Sequence, residues 1–293
     1  MKTFDFKKAD EKLRKKLKES RYIHTLGVVE AGLSLNEKYN LNFDEDRVAC
    51  MCLLHDACKH QEKEYFKAYK DKYQLSDEVK DNQYNLHAVL ASIACKEEYG
   101  VDDQEIAEAI RVHTRGKENM TDFEKLLYLA DAIEKNRDYP GLEHIREMAD
   151  RNLNLGVLAS MDNTILFLKE KNVVIDKETY LIRDGIRRDI MNEKLDIVIK
   201  ACEDKLGENI RTINIGDKSS IADYFVIVTG GSKPQIKAIT EEIEEKIEEK
   251  GYVVYGREGL RDGGWILIDL GDIIVHVFTE DQREFYNLEK LWD

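Results

Sequence analysis

Six residues able to ligate metal ions are spread along the first half of the chain, each within or beside an apolar segment. An imidazole or a carboxylate is costly to bury without a partner, so this placement indicates that the groups meet one another or a cation. Four imidazoles and two carboxylates exceed the needs of one ion, and they suit two ions bridged by a carboxylate and a hydroxide. The candidate ligands are His24, His55, Asp56, His87, His113 and Asp131.

The dipeptide His55-Asp56 is the most informative part of this set, because it lies inside the apolar segment CLLHDACK, which we predict to be helical. A single histidine on an apolar face is usually a satisfied core residue, but five such positions in order favour a metal site. Lys59 follows one predicted helical turn after His55 and could contact a polyphosphate. His60 and His144 stand in polar segments, so we expect both at the surface.

The first 190 residues must position these groups, and their apolar residues recur at the three- and four-residue spacings typical of helices. Asp44 and Thr121 stand where helix N-caps are expected. Separate helices that each contribute one inward ligand are what a metal site in a helical bundle requires. We therefore predict an all-α N-terminal domain.

Residues 191–293 have a different pattern, in which an amphipathic helix is followed by short β-rich runs separated by Gly and Asp. A further helix lies between the second and third runs; Ser232 and Gln235 open it as a capping box, and an isoleucine stripe forms its buried face. Cys202 and His276 are isolated among apolar residues, so we expect both in the core. The predicted strands of this small α/β domain with a mixed sheet are RTINI, YFVIVTG, YVVYG, WILIDL and IIVHVF.

The length of 293 residues exceeds what one hydrophobic core usually supports, which favours two domains. We place them at residues 1–190 and 191–293, joined near Arg188–Glu193. No run of eighteen apolar residues and no signal peptide is present, so we expect no membrane partner. The five scattered cysteines without a CxxC pair indicate reduced thiols and a cytoplasmic location.

The net charge of −14 makes the chain strongly acidic, and the last third is the most acidic part per residue. A broad acidic surface repels phosphate backbones, which argues against direct DNA binding. Small anionic ligands remain compatible with this charge, because a metal ion or a cluster of Lys and Arg can reverse the potential inside one cleft.

The order H…HD…H…H…D resembles that of the HD-domain phosphohydrolases. The wider matches RxxHTLGV, LLHDxxK, NLHA and LADAIEKNRDYPG are similar to the YqeK type, the symmetrical diadenosine tetraphosphate hydrolases, over about residues 10–188. This resemblance implies an HD-domain helical bundle, a di-iron site and cleavage of diadenosine tetraphosphate to two ADP. From the ligand types alone, manganese and zinc are equally suited to the site.

Two side chains are candidates for roles in catalysis, Asp56 from the set of candidate ligands and Lys59 beside the polyphosphate. The family usually carries small residues after its last histidine, whereas this chain has Thr114, Arg115 and Gly116. Plain salt bridges are the alternative for the arginines of the KNRDYPG and RYIHTLGV segments. The candidate substrate-binding residues are Arg21, Lys59, Arg115 and Arg137.

No active site is assembled by the pattern of residues 191–293. The segments SSIADYFVIVTGGSKPQIKAI and GGWILIDLGDIIVHVFTEDQREFYNLEKLW resemble the ribosomal silencing factor family (RsfS, Iojap). The resemblance implies docking on the large ribosomal subunit at its L-fourteen protein and a block of subunit joining. An acidic domain suits a basic protein partner, and a tryptophan is a typical interface anchor. The family motif positions are Asp223, Tyr224, Trp265, Asp269 and Asp272.

Three interpretations of the whole chain follow. The first is a fusion of a diadenosine tetraphosphate hydrolase with a ribosome-binding module. The second is an HD-domain phosphohydrolase of another nucleotide, a nucleotidase or a guanosine tetraphosphate hydrolase, fused to the same module. In the third, the metal site is vestigial and the chain acts only by binding; the presence of every expected ligand argues against it.

Overall fold

The computed structural model describes residues 5–76 and 85–292. The chain divides into two compact units, Met1–Ile186 and Arg187–Asp293. Residues near 188–193, where we expect the join, are helical, and the domain boundary at residue 190 stays a prediction. The helices of the first unit are α1 Phe6–Lys16, α2 Glu19–Lys38, α3 Glu45–Leu54, α4 Glu62–Tyr73, α5 Leu86–Tyr99, α6 Gln104–Val112, α7 Asp122–Ile133, α8 Leu142–Arg151 and α9 Leu153–Glu170, and α10 is Lys177–Asp204.

Both predicted N-caps are confirmed. The side chain of Asp44 accepts a hydrogen bond from the backbone N–H of Arg47 at the start of α3. Thr121 forms a complete capping box with Glu124 at the start of α7. These caps satisfy backbone donors that the first helical turn leaves free, and they fix where α3, which precedes His55-Asp56, and α7, which carries Asp131, begin.

The prediction that His55 lies inside a helix was wrong, because α3 ends at Leu54 and residues 55–60 form successive turns. In the same way, α6 ends at Val112 and His113 is its C-cap. Each imidazole bonds a carbonyl of the last helical turn, and such carbonyls have no partner within the helix. Both histidines therefore terminate a helix, an effect that apolar periodicity does not reveal.

The second unit contains a five-stranded mixed sheet, which confirms the predicted fold class. The strand order is β1-β2-β5-β4-β3, and only the β2–β5 pair is parallel. The elements after α10 are β1 Glu208–Asn214, β2 Tyr224–Thr229, α11 Lys233–Glu249, β3 Gly256–Glu258, β4 Trp265–Asp269, β5 Ile273–Phe278, α12 Glu280–Tyr286 and α13 Leu288–Trp292.

Side-chain alternation gives this sheet two apolar faces. The isoleucine stripe of α11 is buried, and α11 packs on β4 and β5. Phe225, Ile274 and Phe278 line the opposite face, where Leu288 and Trp292 of the C-terminal helix cover them. Both predicted core residues, Cys202 and His276, are buried.

Two details of the predicted C-terminal pattern were wrong. The run YVVYG shares only its last residue with the third strand, which is Gly256–Glu258. Ser232 caps α11, but the side-chain oxygen of Gln235 accepts from the N–H of Gly231 instead of completing the capping box. In residues 5–76 and 85–292, no helix combines the length and apolar character needed to cross a bilayer.

Candidate metal centre

All six candidate ligands lie at one place in the first unit, although five separate segments supply them. His24 comes from α2, His87 from α5 and Asp131 from α7, while His55-Asp56 and His113 follow the ends of α3 and α6. Neighbouring imidazole rings have centroids 5.1–5.4 Å apart. Two groups with ligand atoms within 4.8 Å of one another share one histidine: His24, His55 and Asp131, and His55, Asp56 and His113.

Backbone carbonyls orient the two histidines at helix ends. The Nδ1–H of His55 donates to the carbonyl of Cys52, and that of His113 donates to the carbonyl of Ile110, both at 2.7 Å. A neutral imidazole has one donor nitrogen and one acceptor nitrogen. The Nε2 lone pairs therefore face the centre, and a hydrogen bond on the remote nitrogen is the arrangement that metal-bound histidines show.

Asp56 lies between the two groups. Its Oδ2 is 3.4 Å from Nε2 of His55 and 3.9 Å from Nε2 of His24, whereas its Oδ1 is 3.3 Å from Nε2 of His87. The two carboxylate oxygens thus face different imidazoles, which is the disposition required of a carboxylate that bridges two cations.

Three polar atoms at the centre test whether cations fit there. Nε2 of His24, Nε2 of His55 and Oδ1 of Asp56 are buried and make no hydrogen bond with any residue that the structure describes. Buried polar atoms without a partner are rare and costly. A cation would satisfy all three, and imidazole nitrogen with carboxylate oxygen is a donor set suited to iron, manganese or zinc.

The electrostatics favour the ligand-competent forms of two histidines and two carboxylates, whereas at His55 burial is outweighed by Asp56 and the pKa of the ring is raised. Burial lowers the pKa of His87 to about 3 and that of His113 to about 4, so both rings are neutral at pH 7. Burial would raise the pKa of Asp56, but His55 outweighs this effect and holds it well below its usual value. For Asp131, burial is likewise outweighed, by His24 and Arg137, and its pKa is lowered.

Three of the four predicted substrate-binding cations adjoin the centre. Arg21 donates to Oδ2 of Asp56 at 2.8 Å, and Arg137 forms an ion pair with Asp131. Nζ of Lys59 lies 3.1 Å from the His87 ring nitrogens, and burial lowers the pKa of this lysine. The contacts agree with the salt-bridge alternative for both arginines, and their substrate roles stay predictions.

Arg115, the fourth, points elsewhere. Its guanidinium pairs with Asp176 at 2.8 Å and Glu178 at 3.0 Å. The residue lines a cavity of about 290 Å³ with Thr114 and Tyr128. Two acidic side chains thus hold Arg115 through its Nη2 atom, and its role in substrate binding stays a prediction.

An open cleft of about 470 Å³ leads to the centre. Asp131, Arg137 and His113 lie at its inner end, and the exposed side chains of Leu166 and Phe167 lie on α9 at its rim. Polar groups are thus placed beside the candidate metal centre and apolar groups farther out. His60 and His144 are both exposed, as predicted.

Sequence reasoning missed Glu134, which is 1% exposed and whose Oε1 lies 3.1 Å from Nδ1 of His24. Gly27 in α2 makes room for it, since an ideal Cβ at this position would overlap Oε2 of Glu134. A glycine within a helix, one turn after a candidate ligand, was the available signal.

The predicted partner-binding residues of the second unit all have contacts within the fold. Asp272 pairs with the nearly buried Lys194 at 2.7 Å, and the N–H of Asp223 donates to the Asp272 carbonyl. Asp269 accepts from the N–H of Gly271. The Tyr224 hydroxyl accepts from Asn214. Their roles in binding stay predictions.

Trp265 is partly exposed and belongs to an aromatic cluster. Its ring stacks on Phe278 at 5.0 Å and lies 4.7 Å from Tyr286, while its Nε1–H donates to His276. Phe285 is 78% exposed beside this cluster, and sequence reasoning did not single it out. Trp265 therefore packs against core residues and also presents part of its ring to solvent.

The bundle and its histidine–aspartate cluster define an HD-domain hydrolase in the first unit, and the HD domain family model matches residues 21–136. The chain is 35% identical over 170 residues to the symmetrical bis(5'-nucleosyl)-tetraphosphatase of Bacillus subtilis, covering 58% of this chain and 90% of that protein. The crystal structure of a protein described as a predicted HD superfamily hydrolase involved in NAD metabolism, from Clostridium acetobutylicum, is similar to this chain with 33% identity and a TM-score of 0.58. The similarity covers 64% of this chain and 99% of that one.

The second unit matches a different family, described as the ribosomal silencing factor during starvation, over residues 189–293. Ribosomal silencing factor RsfS of Bacillus subtilis is 46% identical over 104 residues, 35% of this chain and 88% of that protein. The chain therefore belongs to the HD-domain family of symmetrical bis(5'-nucleosyl)-tetraphosphatases in its N-terminal part and to the ribosomal silencing factor family in its C-terminal part. The predicted fusion is confirmed.

Proposed function

We propose that the N-terminal unit binds two metal ions and hydrolyses diadenosine tetraphosphate to two ADP. The observation that carries this proposal is the position of Asp56, whose two oxygens face different imidazoles of one buried cluster. The similarity to curated symmetrical tetraphosphatases supports the choice of substrate. We propose His24, His55, Asp56, His87, His113 and Asp131 as the ligands.

When bound, the ions supply Lewis acidity, which lowers the pKa of water and polarises a phosphoryl oxygen. The side chains prepare the site for this chemistry. Backbone-anchored His55 and His113 present their Nε2 atoms in fixed directions, so little reorganisation accompanies binding. In the net reaction, water adds to one central phosphorus and the central P–O–P bridge breaks, which leaves ADP on both sides.

The substrate carries several negative charges, and the chain offers cations where the phosphates would approach. Arg21 and Arg137 each hold one carboxylate of the centre. We propose that their remaining N–H groups, together with Lys59, contact phosphate oxygens, since a guanidinium has five donors. The exposed ring of Phe167 at the cleft rim is suited to packing against a base.

The experiment is hydrolysis of diadenosine tetraphosphate by anaerobically iron-loaded full-length protein, with products separated by chromatography. We expect ADP as the main product of the wild type and no turnover by His55→Ala. His60→Ala is the matched control, because this exposed histidine lies five residues away, outside the cluster. Parallel loading with manganese and zinc identifies the effective metal.

Turnover of other nucleotides without turnover of the symmetrical dinucleotide would refute the substrate assignment and favour another phosphohydrolase. The absence of any phosphoester hydrolysis by metal-loaded protein would refute the enzymatic proposal altogether.

For the C-terminal unit we propose binding to the large ribosomal subunit through its L-fourteen protein, with a consequent block of subunit joining. Similarity to ribosomal silencing factors over almost the whole unit supports this proposal. The acidic charge of the unit suits a basic protein partner. Trp265 and the neighbouring Phe285 offer an aromatic edge of the kind that anchors interfaces.

Co-sedimentation with purified large subunits tests this second proposal. We expect the wild type to pellet with large subunits, and Phe285→Ala to pellet less, because it removes exposed aromatic surface without opening the core. Exposed Leu206→Ala is a control for loss of apolar surface elsewhere on the unit. Failure of the wild type to pellet would refute ribosome binding.

A further inference from the structure

We propose that Glu134 is the positioning residue of His24 and that Gly27 provides the space Glu134 needs for this task. The inference rests on the proposed metal centre, because it concerns how one ligand of that centre is oriented. Glu134 itself faces the remote nitrogen of the ring, so it acts through His24 and is not a ligand.

His24 differs from the other anchored histidines, because no backbone carbonyl of its own helix is available to orient its ring. His55 and His113 stand at helix ends, where Nδ1–H can donate to a backbone carbonyl with no helical partner. His24 lies within α2, Glu19–Lys38, where the carbonyls of the preceding turn are engaged in the helix. An acceptor for its Nδ1–H must therefore come from another element.

Glu134 supplies that acceptor from the end of α7. Its Oε1 lies 3.1 Å from Nδ1 of His24, and its Oε2 accepts from the backbone N–H of Asn136 at 2.7 Å and from the Asn136 side chain at 2.9 Å. Both oxygens are thus used as acceptors. With Nδ1 as the donor, Nε2 of His24 presents its lone pair to the centre, 3.0 Å from Oδ1 of Asp131.

The backbone around Glu134 is also fixed. The guanidinium of Arg146 donates to the carbonyls of Ile133 and Glu134, and the N–H of Glu134 donates to the carbonyl of Ala130. These bonds hold the end of α7 against α8. The Glu134 carboxylate is therefore held in place before a metal ion binds, so it can orient His24 without a further loss of conformational entropy.

Gly27 provides independent support for this role. Glycine is a poor helix former, yet it occupies an interior position of α2, one turn after His24. Any Cβ at this position would overlap Oε2 of Glu134. The absence of a side chain at residue 27 therefore lets the carboxylate reach His24.

The test measures Mn²⁺ binding to the metal-free full-length protein by titration calorimetry and electron paramagnetic resonance. We expect Glu134→Ala and Gly27→Ala to weaken binding by about 10- to 100-fold, the usual effect of removing a partner of a metal-binding histidine. Glu134→Gln keeps the shape of the side chain but has one acceptor oxygen where Glu134 uses two, so we expect this variant to weaken Mn²⁺ binding as well.

Glu30→Ala is the matched control, because Glu30 lies on the same helix in an exposed ion pair with Lys135; we expect wild-type affinity. Thermal unfolding of each metal-free variant separates positioning from folding. Gly27→Ala favours the helix, so weaker Mn²⁺ binding by this variant without loss of its thermal stability would identify positioning.

The outcomes distinguish the two proposals. Failure of the wild type to bind Mn²⁺ would overturn the metal centre, and this inference with it. Tight binding by the wild type and by Glu134→Gln and Gly27→Ala would overturn the positioning role alone and leave the metal centre standing.

Discussion

Asp272 is both a predicted ribosome-binding residue and half of a nearly buried ion pair, and these two roles predict different results for Asp272→Ala. Its carboxylate lies 2.7 Å from Nζ of Lys194, whose side chain is 11% exposed. Nζ also donates to the carbonyl of Leu270 at 3.2 Å. Removal of the carboxylate leaves the ammonium with one neutral acceptor and the face of the Tyr252 ring, 5.4 Å away, so we expect loss of stability as well as any loss of binding.

The magnitude follows from the exposure of the two partners. Breaking a fully buried pair from one side costs about 3–5 kcal/mol, and the Asp272 side chain is 27% exposed, which lets water screen part of the charge. We therefore expect about 2 kcal/mol of destabilisation. At a urea dependence of about 2 kcal/mol per molar, the unfolding midpoint falls by about 1 M.

Tryptophan fluorescence measures this effect in the intact protein, because both tryptophans, Trp265 and Trp292, lie in the second unit. The double variant Lys194→Met/Asp272→Ala is the control. It removes both charges and should recover most of the lost stability. A midpoint shift below about 0.2 M for Asp272→Ala, or a double variant no more stable than the single one, would refute the reasoning.

Three further predictions concern the site, pH and metal removal. Arg137→Met should lower kcat/KM for the dinucleotide about 10- to 100-fold, because a charge-assisted hydrogen bond to phosphate is worth about 1.5–3 kcal/mol; steady-state kinetics measure this. Burial lowers the pKa of His276 to about 4, so the unfolded state binds more protons than the folded state between about pH 6.5 and 4. The free energy of unfolding therefore falls by up to about 3 kcal/mol as the pH decreases through this window. Urea unfolding at each pH, followed by tryptophan fluorescence, measures this change. Metal removal by a chelator should lower the thermal midpoint of the helical unit, read by circular dichroism, because an ion at about 1,000 times its Kd contributes about 4 kcal/mol.

Each of these predictions has a control. Loss of thermal stability by Arg137→Met with unchanged kinetics would assign Arg137 to the Asp131 ion pair alone. His276→Gln should remove most of the pH dependence, and an equally steep decline in this variant would contradict the role of His276. An equal effect of the chelator on tryptophan fluorescence would show that it acts outside the helical unit.

Apolar spacing determined much of the fold. Helical periodicity placed the first bundle, and alternation placed most strands of the sheet, because both patterns are set by which side chains a regular backbone can bury. The N-caps Asp44 and Thr121 could also be predicted, because capping depends on residues that are close in the sequence. Where a side chain bonds the backbone of the last helical turn, as His55 does at the end of α3, the apolar pattern extended the helix too far.

The sequence by itself determined the kinds of ligand, their order along the chain and the two families. Only the tertiary structure decided which atoms meet: that Asp56 lies between imidazoles, that Arg115 is held by Asp176 and that Glu134 reaches His24. These contacts join residues up to 110 positions apart, and nothing in a local pattern specifies them. The packing of α2 against α7 brings His24 and Glu134 together, and Gly27 fits that contact because no side chain can occupy the space Glu134 fills.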